Sequence, residues 1–171
     1  MRLTTLFTAL SLAILSTMTL AQSINYDFDR TANFASFRSY AWTRGTELAD
    51  GLNHRRIVWA IDTQLAAKGM RTAPAAEADL LVAYHASFDR NLEISAFGYG
   101  WGPVMRRSGT ARAQEITVGT IAVDIVDART RTIVWRGTAS DDIDPNAKPE
   151  KRDKNINRAA EKLFKNYPPK Q

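Results

Sequence analysis

The order of hydrophobic and polar positions divides the chain into segments of period two and two segments of period near 3.6. Tyr26-Asp27-Phe28-Asp29 alternates apolar with charged residues and predicts a half-buried strand. Thr31-Ala32-Asn33-Phe34 predicts a turn. Phe37, Ser39 and Ala41 then alternate with Arg38, Tyr40 and Trp42 in a second strand. Residues 78–88 predict a third, with Leu80, Val82, Tyr84, Ala86 and Phe88 on one face and Leu81, Ala83, His85 and Ser87 on the other. Both faces are apolar near its start, as in a strand inside a sheet. Residues 115–127 predict a long strand carrying Ile121, Val123 and Ile125. A turn at Asp127-Ala128-Arg129-Thr130 leads into a return strand over 131–139 with Ile133, Val134 and Trp135, an antiparallel hairpin. Gly119 falls where the apolar phase changes and predicts a bulge.

The first helical segment has Ile57, Val58, Ile61 and Leu65 on one stripe, with Asn53 as its expected cap. Lys68 suits the negative end of its dipole, and Gly69 suits the left-handed position beyond it. Pro149 opens the second helix, Ile156, Ala160, Leu163 and Tyr167 form its stripe, and Pro168-Pro169 ends it. The sum is an α+β fold: a two-layer sandwich of a mainly antiparallel sheet of about five strands with two helices packed on one face.

The N-terminal end follows neither period. Met1-Arg2 is basic, residues 3–20 are apolar and uncharged, and Thr19-Leu20-Ala21 has small residues at both ends. This predicts a secretory signal peptide over residues 1–21, a single domain over 22–171 and a periplasmic location. Gln22 stands where an acylated protein would have Cys, so no lipid anchor is expected. The chain has no Cys at all, so its stability must come from a hydrophobic core. A net charge of +5 is dispersed along the sequence, unlike the clustered face of a nucleic-acid binder. The densest basic run, residues 148–154, also holds Glu150 and Asp153. It reads as a solvated helix start, with contact to an anionic surface as the alternative.

Four blocks recur in a recognisable order. The first joins Tyr26-Asp27-Phe28-Asp29 to Phe34-Ala35-Ser36-Phe37-Arg38-Ser39-Tyr40-Ala41-Trp42. The second is Ala78-Asp79-Leu80-Leu81-Val82-Ala83-Tyr84-His85. The third pairs Gly119-Thr120-Ile121-Ala122-Val123-Asp124-Ile125-Val126-Asp127 with Ile133-Val134-Trp135-Arg136-Gly137, and Tyr167-Pro168-Pro169 closes the chain. In this order they resemble the bacterial envelope family known as domain of unknown function 4136. The resemblance covers nearly all of residues 22–171 and implies an envelope location. Many members look like lipoproteins, and this chain departs from them at Gln22. The family brings no catalytic residues to carry over.

Chemistry-bearing residues are sparse. There are two His. His85, with Asp79 or Asp89 near in sequence, has the residue types for acid–base work or metal binding, against a purely structural, hydrogen-bonded role. His54 opens a helix and is expected to be exposed. No G-x-S-x-G elbow is present, and the acidic residues Asp124, Asp127, Asp141, Asp142 and Asp144 do not match a calcium loop. No metal and no cofactor is implied. Phe97-Gly98-Tyr99-Gly100-Trp101-Gly102-Pro103, followed by Arg106 and Arg107, is a glycine-rich loop bearing large aromatics and cations. Tyr99, Trp101, Arg106 and Arg107 suit contact with a partner; the alternative is aromatic packing back onto the sheet. The sequence therefore points to a non-catalytic envelope binding or assembly module whose partner is an envelope protein or glycan. The alternative is a small periplasmic hydrolase or metal-dependent enzyme centred on His85; a third reading, without specific support in the sequence, is a free ligand-binding protein using the sheet face under the helices.

Overall fold

The computed structural model describes residues 23–95 and 112–170. Six strands form one sheet: β1 (Ser23–Phe28), β2 (Ser39–Trp42), β3 (Arg71–Thr72), β4 (Leu80–Ser95), β5 (Arg112–Asp127) and β6 (Ile133–Ile143). Their order across the sheet is β1-β6-β5-β4-β2-β3. The pairs from β1 to β4 are antiparallel, and β4-β2 and β2-β3 are parallel. Two helices, α1 (Gly51–Ala67) and α2 (Pro149–Phe164), cover one face. The two-layer α+β sandwich is as expected, with one strand more than about five. The extra strand, β3, has only two residues, too few to leave an alternation in the sequence.

The alternation of β4, β5 and β6 fills the helix-facing layer with Val82, Tyr84, Val123, Ile125 and Trp135, all 1% exposed or less. Ile57, Ile61 and Leu65 of α1 and Leu163 and Phe164 of α2 close over them in one cluster. Aromatics seal one end of this layer. Trp135 stacks on Phe164 at 5.3 Å between ring centroids, Tyr167 meets both rings edge-on, and Phe34 meets Tyr167 at 6.0 Å. Burial pushes the Tyr167 hydroxyl pKa up.

Several local expectations change. Asp50, and not Asn53, caps α1: its carboxylate accepts the Leu52 N–H at 2.9 Å, because the helix begins at Gly51. Gly69 does adopt the left-handed conformation, with φ +80°. The bulge expected at Gly119 is absent, since the β4–β5 register runs unbroken through it. A Cβ at Gly119 would lie 2.6 Å from Ile143 Cγ1, so the glycine makes room for a neighbouring side chain instead. The irregularity lies at Val134, where β6 holds one more residue than β5 between Ile125 and Val126. β4 and β5 also outrun their expected bounds. Their ladder continues to Ser95↔Arg112, whereas β5 and β6 stop pairing at Thr117↔Ile143. The backbone beyond Thr117 is therefore a two-stranded arm.

Candidate functional site

At the end opposite the aromatic seal, the same layer is lined by small residues. Ala86 of β4, Gly119 of β5, Ala139 of β6 and Ala159 of α2 leave a cleft of about 300 Å³ between the sheet and the N-terminal halves of the helices. Ile57, Ile121 and Ile156 complete its apolar wall. Phe88, 55% exposed, and Ile143 stand at its mouth, where the arm departs from the sheet. The volume is at the lower limit of ligand clefts, about 300–1,000 Å³.

Three charged side chains border the cleft: Asp141, Asp144 and Arg152. Asp144 accepts from Lys151 Nζ at 3.1 Å, and this contact holds its carboxyl below the usual carboxylate range. Asp141 lies 3.7 Å from Arg158. Arg152 is half-buried and donates from Nε to the Ala147 carbonyl at 3.0 Å and from Nη2 to the Pro145 carbonyl at 2.8 Å. Its charge meets no carboxylate within 4.0 Å among the described residues.

The opposite face of the sheet carries His85. Thr46 donates its backbone N–H to His85 Nδ1 at 3.1 Å, so the proton of the neutral ring belongs on Nε2. Nε2 lies 3.4 Å from Asp124 Oδ2. Asp124 is only 6% exposed and accepts both arms of the Arg136 guanidinium, the Nη2 bond at 2.6 Å. The expected neighbours of His85 are corrected here. Asp79 accepts the Arg38 and Ser39 N–H groups and the Ser39 hydroxyl, fastening β2 to β4. Asp124 is the carboxylate that faces His85, across the β4–β5 ladder where a sequence reading confined to β4 does not look. His54 is half-buried, not exposed; its Nδ1 lies 2.7 Å from the Tyr84 hydroxyl. Among the described residues no three His, Cys, Asp or Glu side chains come together to hold a metal ion.

Tyr99, Trp101, Arg106 and Arg107 lie outside the described residues. The cleft lies on the sheet face under the helices, where the sequence offered a ligand site only as a possibility without specific support. Its signal is a deficit of side-chain volume at four positions on four elements, and no single segment shows that.

The fold is a small α+β sandwich with an apolar cleft open beneath its helices. The chain belongs to the family described as Domain of unknown function (DUF4136), whose model matches residues 24–169. Among solved structures, it is similar to a PDZ domain protein from Parabacteroides distasonis, with TM-score 0.56 and 14% identity. That match covers 88% of this chain and 37% of the other, so the chain spans little more than a third of that protein. It is also similar to the PelC dodecamer from Paraburkholderia phytofirmans, with TM-score 0.52 and 10% identity over 84% of this chain and 95% of the other. These likenesses concern the fold alone. No curated protein matches the sequence. Among the described residues, no helix is long and apolar enough to cross a membrane.

Proposed function

We propose that this chain is a non-catalytic binding module of the bacterial cell envelope. A signal peptide over residues 1–21 exports it, and residues 22–171 work in the periplasm as a single domain without a lipid anchor. It engages an envelope protein or glycan through the cleft and through the 97–107 loop, with Tyr99, Trp101, Arg106 and Arg107 as contacts. The observation that carries this is the apolar cleft left open in an otherwise tightly packed layer, with Phe88 and Ile143 exposed at its mouth. The two-stranded arm of β4 and β5 adds support, because a two-stranded ribbon is marginal in water without something to pack on.

The test is in-cell photocrosslinking from position 101 and from position 88, with mass spectrometry of the captured material. One dominant envelope component captured from either position is the expected result. Crosslinks confined to the chain itself would overturn the proposal.

A second reading, a small hydrolase or metal-dependent enzyme at His85, has one observation in its favour: the 3.4 Å approach of Nε2 to buried Asp124. Against it, Arg136 already occupies that carboxylate with two bonds. Bound metal in the purified protein that disappears in His85→Ala would favour the enzyme.

A further inference from the structure

Resting on the reading of the cleft as a binding site, we propose that the cleft takes the aliphatic tail of a single-chain anionic amphiphile, whose headgroup Arg152 holds. The wall dictates the tail. Ile57, Ala86, Ile121, Ala139, Ile156 and Ala159 offer no donor or acceptor from their side chains, so a polar group inserted among them would lose its hydrogen bonds to water. Five of these residues, all but Ala86, also line a gap of about 10 Å³ that reaches Leu163, so the apolar path continues inward from the cleft. The volume, about 300 Å³, suits one chain and not the paired chains of a bilayer lipid.

The charges at the border dictate the headgroup. Asp141 and Asp144 each have a cation of their own, Arg158 and Lys151. Arg152 is oriented by the carbonyls of Pro145 and Ala147, and it acts on Asp144 only through space, behind the direct Lys151 contact. A guanidinium has five N–H donors and these bonds use two, which leaves donors for the oxygens of a carboxylate. The surroundings add to the field. The run from 148 to 154 holds Lys148, Lys151, Arg152 and Lys154 against Glu150 and Asp153, and it forms the N-terminal turns of α2, the positive end of the helix dipole. An apolar wall beside one oriented cation that no carboxylate among the described residues touches directly is the complement of a fatty-acid-like molecule.

Calorimetric titration of the purified protein with alkyl carboxylates from hexanoate to tetradecanoate, each below its micelle concentration, tests this. Affinity should rise about fourfold per added methylene until the cleft is full and then level off. Alkanols of equal length should bind about tenfold more weakly or worse. Arg152→Met, with an unchanged melting temperature, should erase the difference between carboxylate and alkanol, and Arg152→Lys should restore part of it. Ala159→Leu should weaken both ligands by filling the wall. The chain-length series on the unaltered protein keeps the test valid should a variant fold poorly. Equal affinity for carboxylates and alkanols, absence of any length dependence, or binding to phosphatidylglycerol vesicles but not to monomeric chains would overturn the proposal. Absence of alkyl binding together with continued partner capture from position 88 would overturn the tail assignment and leave the binding module standing. Loss of both would remove both.

Discussion

The two ends of the helix–sheet interface use one scaffold to opposite effect. At the sealed end Trp135, Phe164 and Tyr167 interlock, with Gly137 lying beneath the Trp135 ring. At the open end Ala86, Ala139 and Ala159 stand back from one another, with Gly119 lying beneath Ile143. The strands and helices run continuously from one end to the other, so backbone topology cannot account for the cleft. Side-chain volume does. Each end has a glycine under a bulky neighbour. Trp135 over Gly137 is 1% exposed, whereas Ile143 over Gly119 is 37% exposed and has solvent to move into.

The contrast can be broken most severely by Trp135→Ala, which should cost about 3–5 kcal/mol in a denaturant titration because the site is locked by rings on two sides. Gly137→Ala should follow at about 1–3 kcal/mol, since its Cβ would lie 2.3 Å from Trp135 Cη2 and 2.7 Å from Leu163 Cδ1. The β4–β2 junction offers a polar test. Hydrogen bonds from the Arg38 N–H and the Ser39 hydroxyl lower the Asp79 carboxyl pKa. A lowered folded-state value contributes stability above the ordinary carboxylate pKa of about 3.9, and that contribution is lost as pH falls through the folded value. Asp79→Asn should therefore cost about 1–2 kcal/mol at neutral pH, with the gap to the unaltered protein closing in acid. Gly119→Ala should change stability by only about 0.5 kcal/mol, because relief of glycine's backbone entropy offsets a displaced, half-exposed Ile143. A Gly119→Ala penalty as large as that of Gly137→Ala, in paired melts, would mean that the two ends are equally rigid.

The interface that separates these ends was partly legible in the sequence. The alternation of Leu80, Val82 and Tyr84 and of Ile121, Val123 and Ile125 announced strands that the structure confirms, because buried positions two apart have no substitute for apolar side chains. Ladder length was not legible. Asp89, Arg90 and Asn91 are polar, so the pattern stopped at Phe88 while backbone pairing, which is indifferent to side-chain polarity, continued to Ser95. Phe164 escaped the helical stripe drawn through Ala160, Leu163 and Tyr167, although it is fully buried beside Trp135. The neighbours of His85 were sought along its own strand, whereas Asp124 reaches it from the next one. The cleft was the least legible of all, since alanines and glycines mark a void only once the elements bearing them face each other.

The register of β1 has a kinetic consequence. Ser23 pairs with Ser140 and Phe28 with Trp135, so the first strand can be added only after nearly the whole chain has been made and collected. β5 and β6 are joined by a short turn and close a small loop, which costs little chain entropy. Assembly should thus begin at the β5–β6 hairpin and finish at β1. Pulse-labelled hydrogen exchange during refolding should find amides of Val123 and Ile125 protected while those of Asn25 and Asp27 still exchange. The edge of the sheet formed by the earliest strand in sequence is thus the last to be fixed, and the outer edge of β6 stays unpaired until β1 docks on it.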